Sequence, residues 1–539
     1  MPDPSRSIVD ILNLSTDKCT AELKRRSDES GELELLAELG KTFGNAPTPA
    51  IIAKLVNFVK TCYPQAHRPI HTIGIFFPNI TIGGVQRVIT SQFPIFQAMG
   101  IKTVLFTHTI NEENEYPLPE YIKRIQLPRL DAAKPDFRQN METWIELISA
   151  EKIDVFYNHD MYNIPRLYWT LLLIKTIIKV PYFLHFHNVF SKRLIYGVLQ
   201  DFTLQDHLLK FTDLIISLSE VNNFYFSANG IRSVCMPNQY FLPDQKITPK
   251  SKAKDKNILF LSRIEFTQKR PLDTIKIMEH VIDELPDAKL FIVGGGNSKD
   301  EDILKSHIAN SRAANNIEFC GSTLDVAKFY QNADVFLATS SHEGFPVTLL
   351  ESQAFGLPVV CYDMPYLDII RRPDNGIITV PQEDHAAAAD AIVKVLTDPE
   401  LYRIKSRNGV KTAKYFAEYD LAGLWRQILA DWQTSPQFQP SPETLTILLQ
   451  TLNQHLYWGD KKQQQKLSSA QKNLKSTQNE LKKIKRKNSS IRNSFSYRLG
   501  RALTWLPRKI RGGVRCLKQH GISYTIKRLK QKIHNLFSK

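Results

Sequence analysis

Residues 341–360 read SHEGFPVTLLESQAFGLPVV, and this stretch carries more chemical information than any other in the chain. Two carboxylates, Glu343 and Glu351, lie eight residues apart, the first before a Gly-Phe-Pro turn and the second in an apolar helical segment. We expect the helix to end near Gly356, because glycine is common just beyond a helix. Pro358 then precedes a buried-type strand. A turn that leads into a helix exposes backbone N–H groups, which suit a phosphate or a sugar hydroxyl.

Short apolar runs alternate with helical stretches on both sides of this segment. Such alternation predicts parallel sheets with helices on both faces. The expected strands fall into two series. The first comprises 73–77, 102–106, 155–157, 182–185 and 214–216, and the second comprises 258–261, 289–293, 316–319, 335–338 and 358–360.

The length of 539 residues allows two ordinary domains with extensions. A polar stretch at 241–256 reads as the linker between the two α/β series, and the proline-rich stretch 435–442 reads as a second linker. The predicted organisation is therefore a helical extension, two α/β domains, a helical segment and a basic tail. The boundaries are 1–70, 71–240, 250–434, 443–491 and 492–539.

The net charge of +16 is unevenly distributed. Residues 461–539 contain 23 lysines and arginines and a single acid, Glu480, whereas the first 460 residues contain 47 basic and 53 acidic side chains. A mildly acidic body joined to a strongly basic tail predicts an anionic partner for the tail.

Two features of this basic region bear on partners. Leu467, Leu474 and Leu481 are part of a short heptad pattern, which predicts either a homodimeric coiled coil over 467–491 or a single solvated helix. Residues 492–539 interleave apolar and aromatic side chains with arginine and lysine, a composition that suits an anionic membrane surface. Nucleic acid is the rival partner, but the sequence has no nucleic-acid-binding motif, so we expect none.

Other candidate site residues follow predicted strands. Gly83-Gly84 leads into a helix and suits either a ligand phosphate or an ordinary turn. Arg263 and Lys269 follow the first strand of the second series, where they either meet a diphosphate or form solvated surface charge. His187, two residues after His185, is either a hydrogen-bonding group of the site or a structural histidine. We reject a metal pair here because the sequence offers no third ligand.

The six cysteines form no C-x-x-C pair and have no histidine-rich companion. This spacing indicates reduced, mostly buried thiols, as expected of a cytosolic protein. The first residues, Met-Pro-Asp-Pro-Ser-Arg, lack the apolar core of a signal peptide. We therefore expect a cytoplasmic protein that associates peripherally with the inner face of the cell membrane.

Together these motifs resemble the retaining glycosyltransferases of family 4, bacterial surface-polysaccharide type, over about residues 71–430. The segment 341–360 resembles the family's Glu-x(7)-Glu signature, and GGVQR at 83–87 resembles its Gly-Gly loop, with Gln86 in place of the usual Glu. Leu-Ser-Arg before Lys269 resembles the family's Arg…Lys element, with one extra residue before the lysine. Phe186-His187-Asn188 resembles the catalytic histidine segment.

The resemblance implies the GT-B fold, in which two Rossmann-like, doubly wound domains face a cleft. It also implies that Arg263 and Lys269 neutralise a departing nucleoside diphosphate, that Glu351 binds ribose and that Glu343 binds the donor sugar. The implied catalytic residues are His187, Glu343, Arg263 and Lys269, and the implied donor-binding residues are Gly83, Gly84, Arg263, Lys269, Gly344, Phe345, Pro346, Val347 and Glu351.

The expected reaction moves a sugar with retention from a nucleotide-sugar donor to a growing cell-surface glycan that is lipid-linked at the cytoplasmic leaflet. Resemblance implies front-face attack, no cofactor and no metal, because fixed cations supply the electrostatic stabilisation. Two alternatives remain open at this stage. The chain could be a nucleotide-sugar epimerase of the same fold, or a glycan-assembly scaffold that has lost turnover.

Overall fold

A computed structural model of the chain describes residues 6–45, 47–81, 83–110, 115–161, 164–240, 242, 248–323, 325–434 and 441–493, with short pieces between 515 and 531. The described residues fall into two compact units, Met1–Gly459 and Asp460–Lys539. The predicted basic tail, 492–539, lies almost entirely outside the described residues. The two linkers at 241–256 and 435–442 are described only in part.

Among the residues described before the first strand, four helices pack against the first α/β module. Their bounds are α1 Ile8–Leu12, α2 Thr16–Ser30, α3 Glu32–Phe43 and α4 Pro49–Cys62. Thr48 caps α4 by accepting the N–H of Ile51, and proline occupies the first helical position. Gly40 allows α3 to approach the following module closely, since a Cβ there would lie 2.4 Å from the ring of Phe137. The helical extension therefore shares its core with the first sheet.

The first sheet has seven parallel strands: β1 Thr72–Phe76, β2 Lys102–Thr107, β3 Lys123–Gln126, β4 Val155–Asn158, β5 Tyr182–Phe186, β6 Leu214–Ser217 and β7 Ser233–Cys235. The helices between them are α5 Gly84–Ala98, α6 Phe137–Ala150, α7 Ile164–Leu173, α8 Lys192–Ile195, α9 Leu199–Leu209 and α10 Glu220–Ala228, and a π-helical turn, Ile174–Ile178, follows α7.

The strand order of this sheet is β3-β2-β1-β4-β5-β6-β7. Strands β2 and β3 are added on one side of β1, and β4 to β7 are added on its other side, so the order reverses between β1 and β4. The register places Phe76, the last residue of β1, beside Asn158, the last residue of β4. Strands β4, β5 and β6 are buried at every residue, as expected of central strands covered on both faces. The parallel sheet predicted for this part of the chain is confirmed, and β3 and β7 are additional strands that the sequence analysis missed.

The second sheet has six parallel strands: β8 Asn257–Leu261, β9 Lys289–Val293, β10 Ile317–Gly321, β11 Val335–Ala338, β12 Val359–Tyr362 and β13 Ile377–Val380. Its helices are α11 Pro271–Glu284, α12 Ser298–Ala309, α13 Ala327–Asn332, α14 Val347–Ala354, α15 Asp368–Arg371, α16 His385–Thr397 and α17 Pro399–Ala417, and a 3₁₀ turn spans Ala314–Asn316.

The order of the second sheet, β10-β9-β8-β11-β12-β13, reverses between β8 and β11. The two sheets thus share one doubly wound pattern, in which the loops on either side of the reversal diverge and leave a crevice at the carboxyl ends of the strands. Strand β13 was not predicted from the sequence. The prediction of a second parallel α/β sheet is confirmed.

Helix α18, Leu421–Ala430, returns from the second module to the first. Trp425 packs edge-on against Phe96 with ring centroids 4.9 Å apart and against Tyr157 at 5.4 Å, and Trp432 packs against Phe183 at 5.9 Å. Both tryptophans are almost fully buried. These contacts join α18 and the segment after it to the first sheet through one apolar core. The last helix, α19, spans Pro442–Asn493.

The turn after β9 depends on a glycine. Gly294 has φ of +132°, a conformation that side chains with a Cβ rarely adopt, and a Cβ there would lie 1.9 Å from the carbonyl oxygen of Ser262. The Ser262 N–H donates to the carbonyl of Val293 at 3.0 Å. The turn after β9 therefore supports the backbone that begins the loop after β8.

We expect Gly294→Ala to destabilise the protein by about 3 kcal/mol, because both backbone strain and steric overlap oppose the methyl group. Gly100→Ala is the matched control, since its φ of +72° is also positive but nothing lies within 4 Å of an added Cβ. That variant should cost only about 1 kcal/mol. Urea unfolding of both variants checks the prediction, and equal losses of stability would show that the contact with Ser262 contributes nothing.

Candidate active site

The predicted site residues gather at the carboxyl ends of strands next to the two reversals. His187 follows β5 in the first sheet, while Arg263 lies two residues after β8 and Glu343 lies in the loop after β11. The carboxyl ends of the strands are where a doubly wound sheet binds ligands. The fold alone therefore brings His187 and Glu343, which are 156 positions apart in the sequence, to the same kind of location.

Lys269 and Glu343 form the central ion pair of the second module. Lys269 Nζ lies 2.5 Å from Glu343 Oε1, and the two side chains are only 18% and 10% exposed. Gln268 Nε2 donates to Glu343 Oε2 at 3.2 Å. The Tyr366 hydroxyl accepts the Glu343 N–H at 2.9 Å and donates to the Glu343 carbonyl at 3.1 Å. Glu343 is thus held by both its carboxylate and its backbone.

The extra residue before Lys269 is accommodated without removing the lysine from the site. The Glu265 carboxylate accepts the N–H groups of Thr267 and Gln268 at 2.9 and 2.6 Å, which folds the loop into a tight turn. These bonds outweigh the effect of burial and lower the pKa of Glu265. Arg263 lies at the start of this loop and is exposed. The structure therefore leaves the Arg263 guanidinium accessible to solvent and places Lys269 on Glu343.

Glu351 is the second carboxylate of the signature, and it connects the two modules. Its Oε1 accepts Arg87 Nη1 at 2.6 Å, and its Oε2 accepts the Tyr330 hydroxyl at 2.9 Å. The Glu351 side chain is 15% exposed, whereas that of Arg87 is 53% exposed. Both carboxylate oxygens therefore already have partners in this ligand-free arrangement. A ribose would have to replace Arg87 or share the carboxylate with it.

The Gly-Gly loop lies at the start of α5. Gly83 is the N-cap of this helix in an extended conformation, and Gly84 has open space around an added Cβ. Gln86, which stands where the resemblance expects Glu, donates through Nε2 to Asn79 Oδ1 at 3.0 Å. Its Oε1 lies 2.6 Å from the Cβ position of Gly83. The glutamine therefore braces the loop, and the first turn of α5 carries Arg87 to Glu351.

The loop after Glu343 touches the histidine loop directly. A Cβ on Gly344 would lie 2.3 Å from the carbonyl oxygen of His187, so only glycine fits this position. Phe345 is buried and packs edge-on against Phe416 at 5.5 Å. Pro346 is the N-cap and Val347 the first residue of α14. The structure thus brings His187 and the segment 344–347 together, as a shared site requires.

Three histidines form a buried cluster around His187. His159 Nδ1 and His187 Nε2 are 2.8 Å apart, and the rings of His185 and His187 stack 4.0 Å apart with an angle of 8°. The Tyr157 hydroxyl contacts His185 Nδ1 at 2.6 Å. His159, which the sequence analysis did not select, therefore fixes one nitrogen of the predicted catalytic histidine.

Burial keeps this cluster neutral. It lowers the pKa of His187 to about 3 and lowers the pKa values of His159 and His185 well below their ordinary range, with the neighbouring imidazoles adding to the effect at the last two. At neutral pH His187 is therefore an uncharged imidazole. It can donate or accept a hydrogen bond, but it brings no positive charge to the site.

The reason given above for rejecting a metal is wrong, because His159 supplies a third imidazole. One nitrogen from each of His159, His185 and His187 lies within 4.8 Å of the others, and the Nε2 atoms of His159 and His185 are buried with no hydrogen-bond partner among the described residues. Three imidazoles can ligate a transition metal. In this structure the nitrogens of His159 and His187 hydrogen bond to each other.

Lys192 is a further cation of the site that the sequence analysis missed. It begins α8, five residues after His187, and is half-buried. Burial and the positive charges of Arg193 and Arg263 lower the pKa of Lys192 to about 8, while Glu265 and Glu343 act in the opposite direction. The lysine therefore lies within electrostatic reach of the loops of the second module.

Two of the missed residues had a usable signal in the sequence. His159 follows β4 as His187 follows β5, and strand ends that are adjacent in a parallel sheet lie side by side. Lys192 lies in the same strand-end loop as His187. Arg87 had no such signal, because only the packing of the two modules shows that it reaches Glu351.

Comparison with known proteins agrees with this geometry. Residues 243–412 match the family described as "Glycosyl transferases group 1". The chain is 25% identical over 367 residues to an uncharacterized glycosyltransferase of Haemophilus influenzae, a match that covers 66% of this chain and 99% of the relative. It is 26% identical over 369 residues to the phosphatidyl-myo-inositol mannosyltransferase of Mycobacterium leprae, with 65% of this chain and 93% of that protein covered.

Among solved structures, the chain is similar to Anabaena HepE in complex with UDP and glucose, with a TM-score of 0.54, 14% identity and coverage of 68% of this chain and 100% of that one. The pneumococcal O-GlcNAc transferase GtfA in complex with UDP and GlcNAc gives a TM-score of 0.53 at 13% identity, with 68% and 100% covered. The protein therefore has the GT-B fold with two Rossmann-like domains. The sequence matches support a glycosyltransferase.

The histidine cluster makes a testable contribution to the pH dependence of stability. An unfolded histidine binds a proton below about pH 6.5, whereas buried His185 does not, so this contribution to stability is present above pH 6.5 and is lost as the pH falls. We expect His185→Phe to reduce the slope of unfolding free energy against pH by up to about 1.4 kcal/mol per pH unit between pH 6.5 and 5.

Urea unfolding at a series of pH values measures this slope. His307→Phe is the control, because His307 is exposed and should leave the slope unchanged. A slope for His185→Phe equal to that of the unmodified protein would mean that the imidazole titrates normally in the folded state.

Proposed function

We propose that the protein is a retaining glycosyltransferase of family 4 that transfers a sugar from a nucleotide-sugar donor to a growing cell-surface glycan. The observation that carries the proposal is the meeting of Glu343 and Lys269 with the His187 loop at the carboxyl ends of the two sheets. The cations can neutralise phosphate, and the carboxylate can bind sugar hydroxyls next to an uncharged hydrogen-bonding group. This combination suits the departure of a nucleoside diphosphate from an anomeric carbon.

In the proposed mechanism the diphosphate binds to Arg263 and Lys269. The negative charge that develops on the leaving group then meets fixed positive charge, which stabilises the transition state more than the ground state. Lys269 is held by Glu343 before the donor arrives. A dianionic ligand can replace that single carboxylate as the partner of the lysine and release Glu343 for the hydroxyl groups of the sugar.

The backbone at the start of α5 and around Gly344 would complete the donor site. The open space at Gly84 lets backbone N–H groups approach the distal phosphate. His187, neutral through burial, would donate or accept a hydrogen bond near the anomeric carbon. Glu351 would take the ribose hydroxyls in place of Arg87. These roles require no step through a metal.

We further propose that the acceptor is lipid-linked and that the basic segment 492–539 holds the enzyme at the anionic cytoplasmic face of the membrane. No helix among the described residues is long and apolar enough to span a bilayer. The support for the proposal is the concentration of charge in residues 461–539 together with the interleaved apolar side chains of the tail.

The proposed homodimer contact is the apolar stripe of α19. Leu467, Leu474 and Leu481 recur every seven residues and are 61%, 60% and 51% exposed. Ile484 continues the stripe at 57% exposure. Exposed leucines at heptad spacing suit the seam of a two-stranded coiled coil.

The donor proposal predicts that a nucleotide sugar will raise the melting temperature, because a ligand that binds only the folded state stabilises it. A thermal-shift panel of nucleotide sugars should begin with UDP-sugars, since the solved relatives HepE and GtfA were crystallised with UDP. Glu351→Ala should weaken binding of the stabilising compound tenfold to about a hundredfold, the usual loss for hydrogen bonds to a charged group.

Glu284→Ala is the matched control for this measurement, since it removes an exposed carboxylate at the far end of α11. Calorimetry gives both dissociation constants. Unchanged binding by Glu351→Ala would exclude the ribose role, and a panel without any stabilising nucleotide sugar would exclude the proposed activity.

The membrane proposal predicts that the full chain floats with vesicles that contain anionic phospholipid and remains unbound with purely zwitterionic vesicles. Each lysine or arginine near an anionic surface adds about 1 kcal/mol of attraction. A chain that ends at residue 491 should lose flotation while retaining nucleotide-sugar binding. Continued flotation of the shortened chain would show that another surface binds the lipid.

A further inference from the structure

The first part of α19 packs onto the catalytic unit, although it lies outside the residues that match the glycosyltransferase family. One face of the helix is buried, at positions that recur with helical spacing. The buried residues are Thr444, Ile447, Leu448, Thr451 and His455. Residues on the opposite face, such as Leu449 and Leu456, are 57% and 50% exposed. The segment is therefore a docked element of the enzyme.

Residues 455–459 of this helix reach three segments that border the candidate active site. His455 Nδ1 lies 2.7 Å from Ser191 Oγ, with both residues buried. The His455 ring also meets the Tyr366 ring edge-on at 5.9 Å. Gly459 approaches the first module so closely that a Cβ there would lie 2.1 Å from the carbonyl oxygen of Leu194. A single helical turn thus contacts both modules.

Trp458 supplies the third contact. Its ring lies 4.6 Å from the guanidinium carbon of Arg270, a cation–π geometry. Arg270 has φ of +50°, an unfavourable conformation for a residue with a Cβ, and it also bonds Gln382 at 3.3 Å. Such a backbone conformation persists only where contacts from several sides hold it. The tryptophan therefore helps to fix the residue that follows Lys269.

Each contacted residue adjoins a residue of the proposed mechanism. Ser191 lies four positions after His187 and immediately before Lys192. Tyr366 holds the backbone N–H and carbonyl of Glu343. Residues 455–459 thus border three loops at once: the one after β5 that carries His187, the one after β11 that carries Glu343 and the one after β8 that carries Lys269.

We propose that His455 and Trp458 are positioning residues, through which the first turns of α19 hold the donor-binding loops of both modules in their working arrangement. The inference rests on the proposed function for the identity of the ligand, but the contacts themselves do not depend on it. Burial lowers the pKa of His455 to about 3, so its bond to Ser191 joins two neutral groups. The site is then incomplete without a segment that lies beyond residues 243–412, the part of the chain that matches the family.

The test uses the full chain and four variants. Trp458→Leu removes the contact with Arg270, and Tyr457→Leu is its matched control, because Tyr457 is 63% exposed. His455→Leu removes the bond to Ser191. His455→Asn is the conservative variant, since its amide can still reach the serine hydroxyl.

Hydrogen–deuterium exchange of the full-length variants measures how well the backbone amides of the loops are protected, and it needs no ligand. We expect Trp458→Leu and His455→Leu to speed exchange at least threefold in residues 187–195, 265–270 and 341–346, while Tyr457→Leu and His455→Asn stay near the unmodified protein. Exchange that is unchanged in these three loops would overturn the proposal, as would a uniform increase throughout the chain.

Turnover of the donor found by the thermal-shift panel gives the second readout. Trp458→Leu should raise the donor KM about tenfold with little change in kcat, and His455→Asn should restore the activity that His455→Leu loses. Lower melting temperatures with unaltered kinetic constants would show that both residues act only through structural packing. If the unmodified chain binds no nucleotide sugar, the proposed function fails, and the exchange result alone decides whether α19 positions the loops.

Discussion

The reversal of strand order in each sheet is the constraint on which the rest of the molecule depends. Because the loops on the two sides of β1 and β4, and of β8 and β11, run in opposite directions, a crevice opens at those strand ends. Trp425 of α18 and Trp432 just after it pack against the first sheet, so the chain that leaves the second module is fastened to the first.

Two ion pairs form within the site before any ligand binds. Lys269 is paired with Glu343 and Arg87 with Glu351, and three of these four side chains are at most 18% exposed. Leaving a partly buried cation without a counter-ion is costly, so the carboxylates serve as internal substitutes for an anionic ligand. A ligand with one negative charge would gain little by displacing them. A diphosphate, with two charges and several acceptor oxygens, gains more, and this difference favours nucleotide donors over simple anions.

The sequence indicated the central strands because their burial on both faces leaves continuous apolar runs, as in β4 and β5. It failed at the edge strand β3, whose residues are exposed or half-buried and carry charged side chains. It identified glutamates and cations by their spacing, but not the Arg87–Glu351 pair, since spacing says nothing about contacts between residues of different modules that are 264 positions apart. The sequence predicted a helical segment over 443–491, with a solvated or dimeric helix over 467–491, but it did not indicate that the first turns are buried. Their partners, such as Ser191 and Tyr366, are distant in the sequence.

Because His187 is neutral, other groups must stabilise the negative charge of the leaving group in the proposed mechanism. An imidazole that stays uncharged at physiological pH can orient a hydroxyl or a sugar ring oxygen, but it cannot neutralise a leaving phosphate. In the proposed mechanism that task falls to cations, of which Arg263 and Lys269 come from the second module and Lys192 from the first. Lys192 begins the short helix α8 that follows the His187 loop, so in the proposed mechanism one segment of the first module carries both the hydrogen-bonding group and a cation. The close approach of Gly344 to the His187 carbonyl already places that segment against the Glu343 loop of the second module.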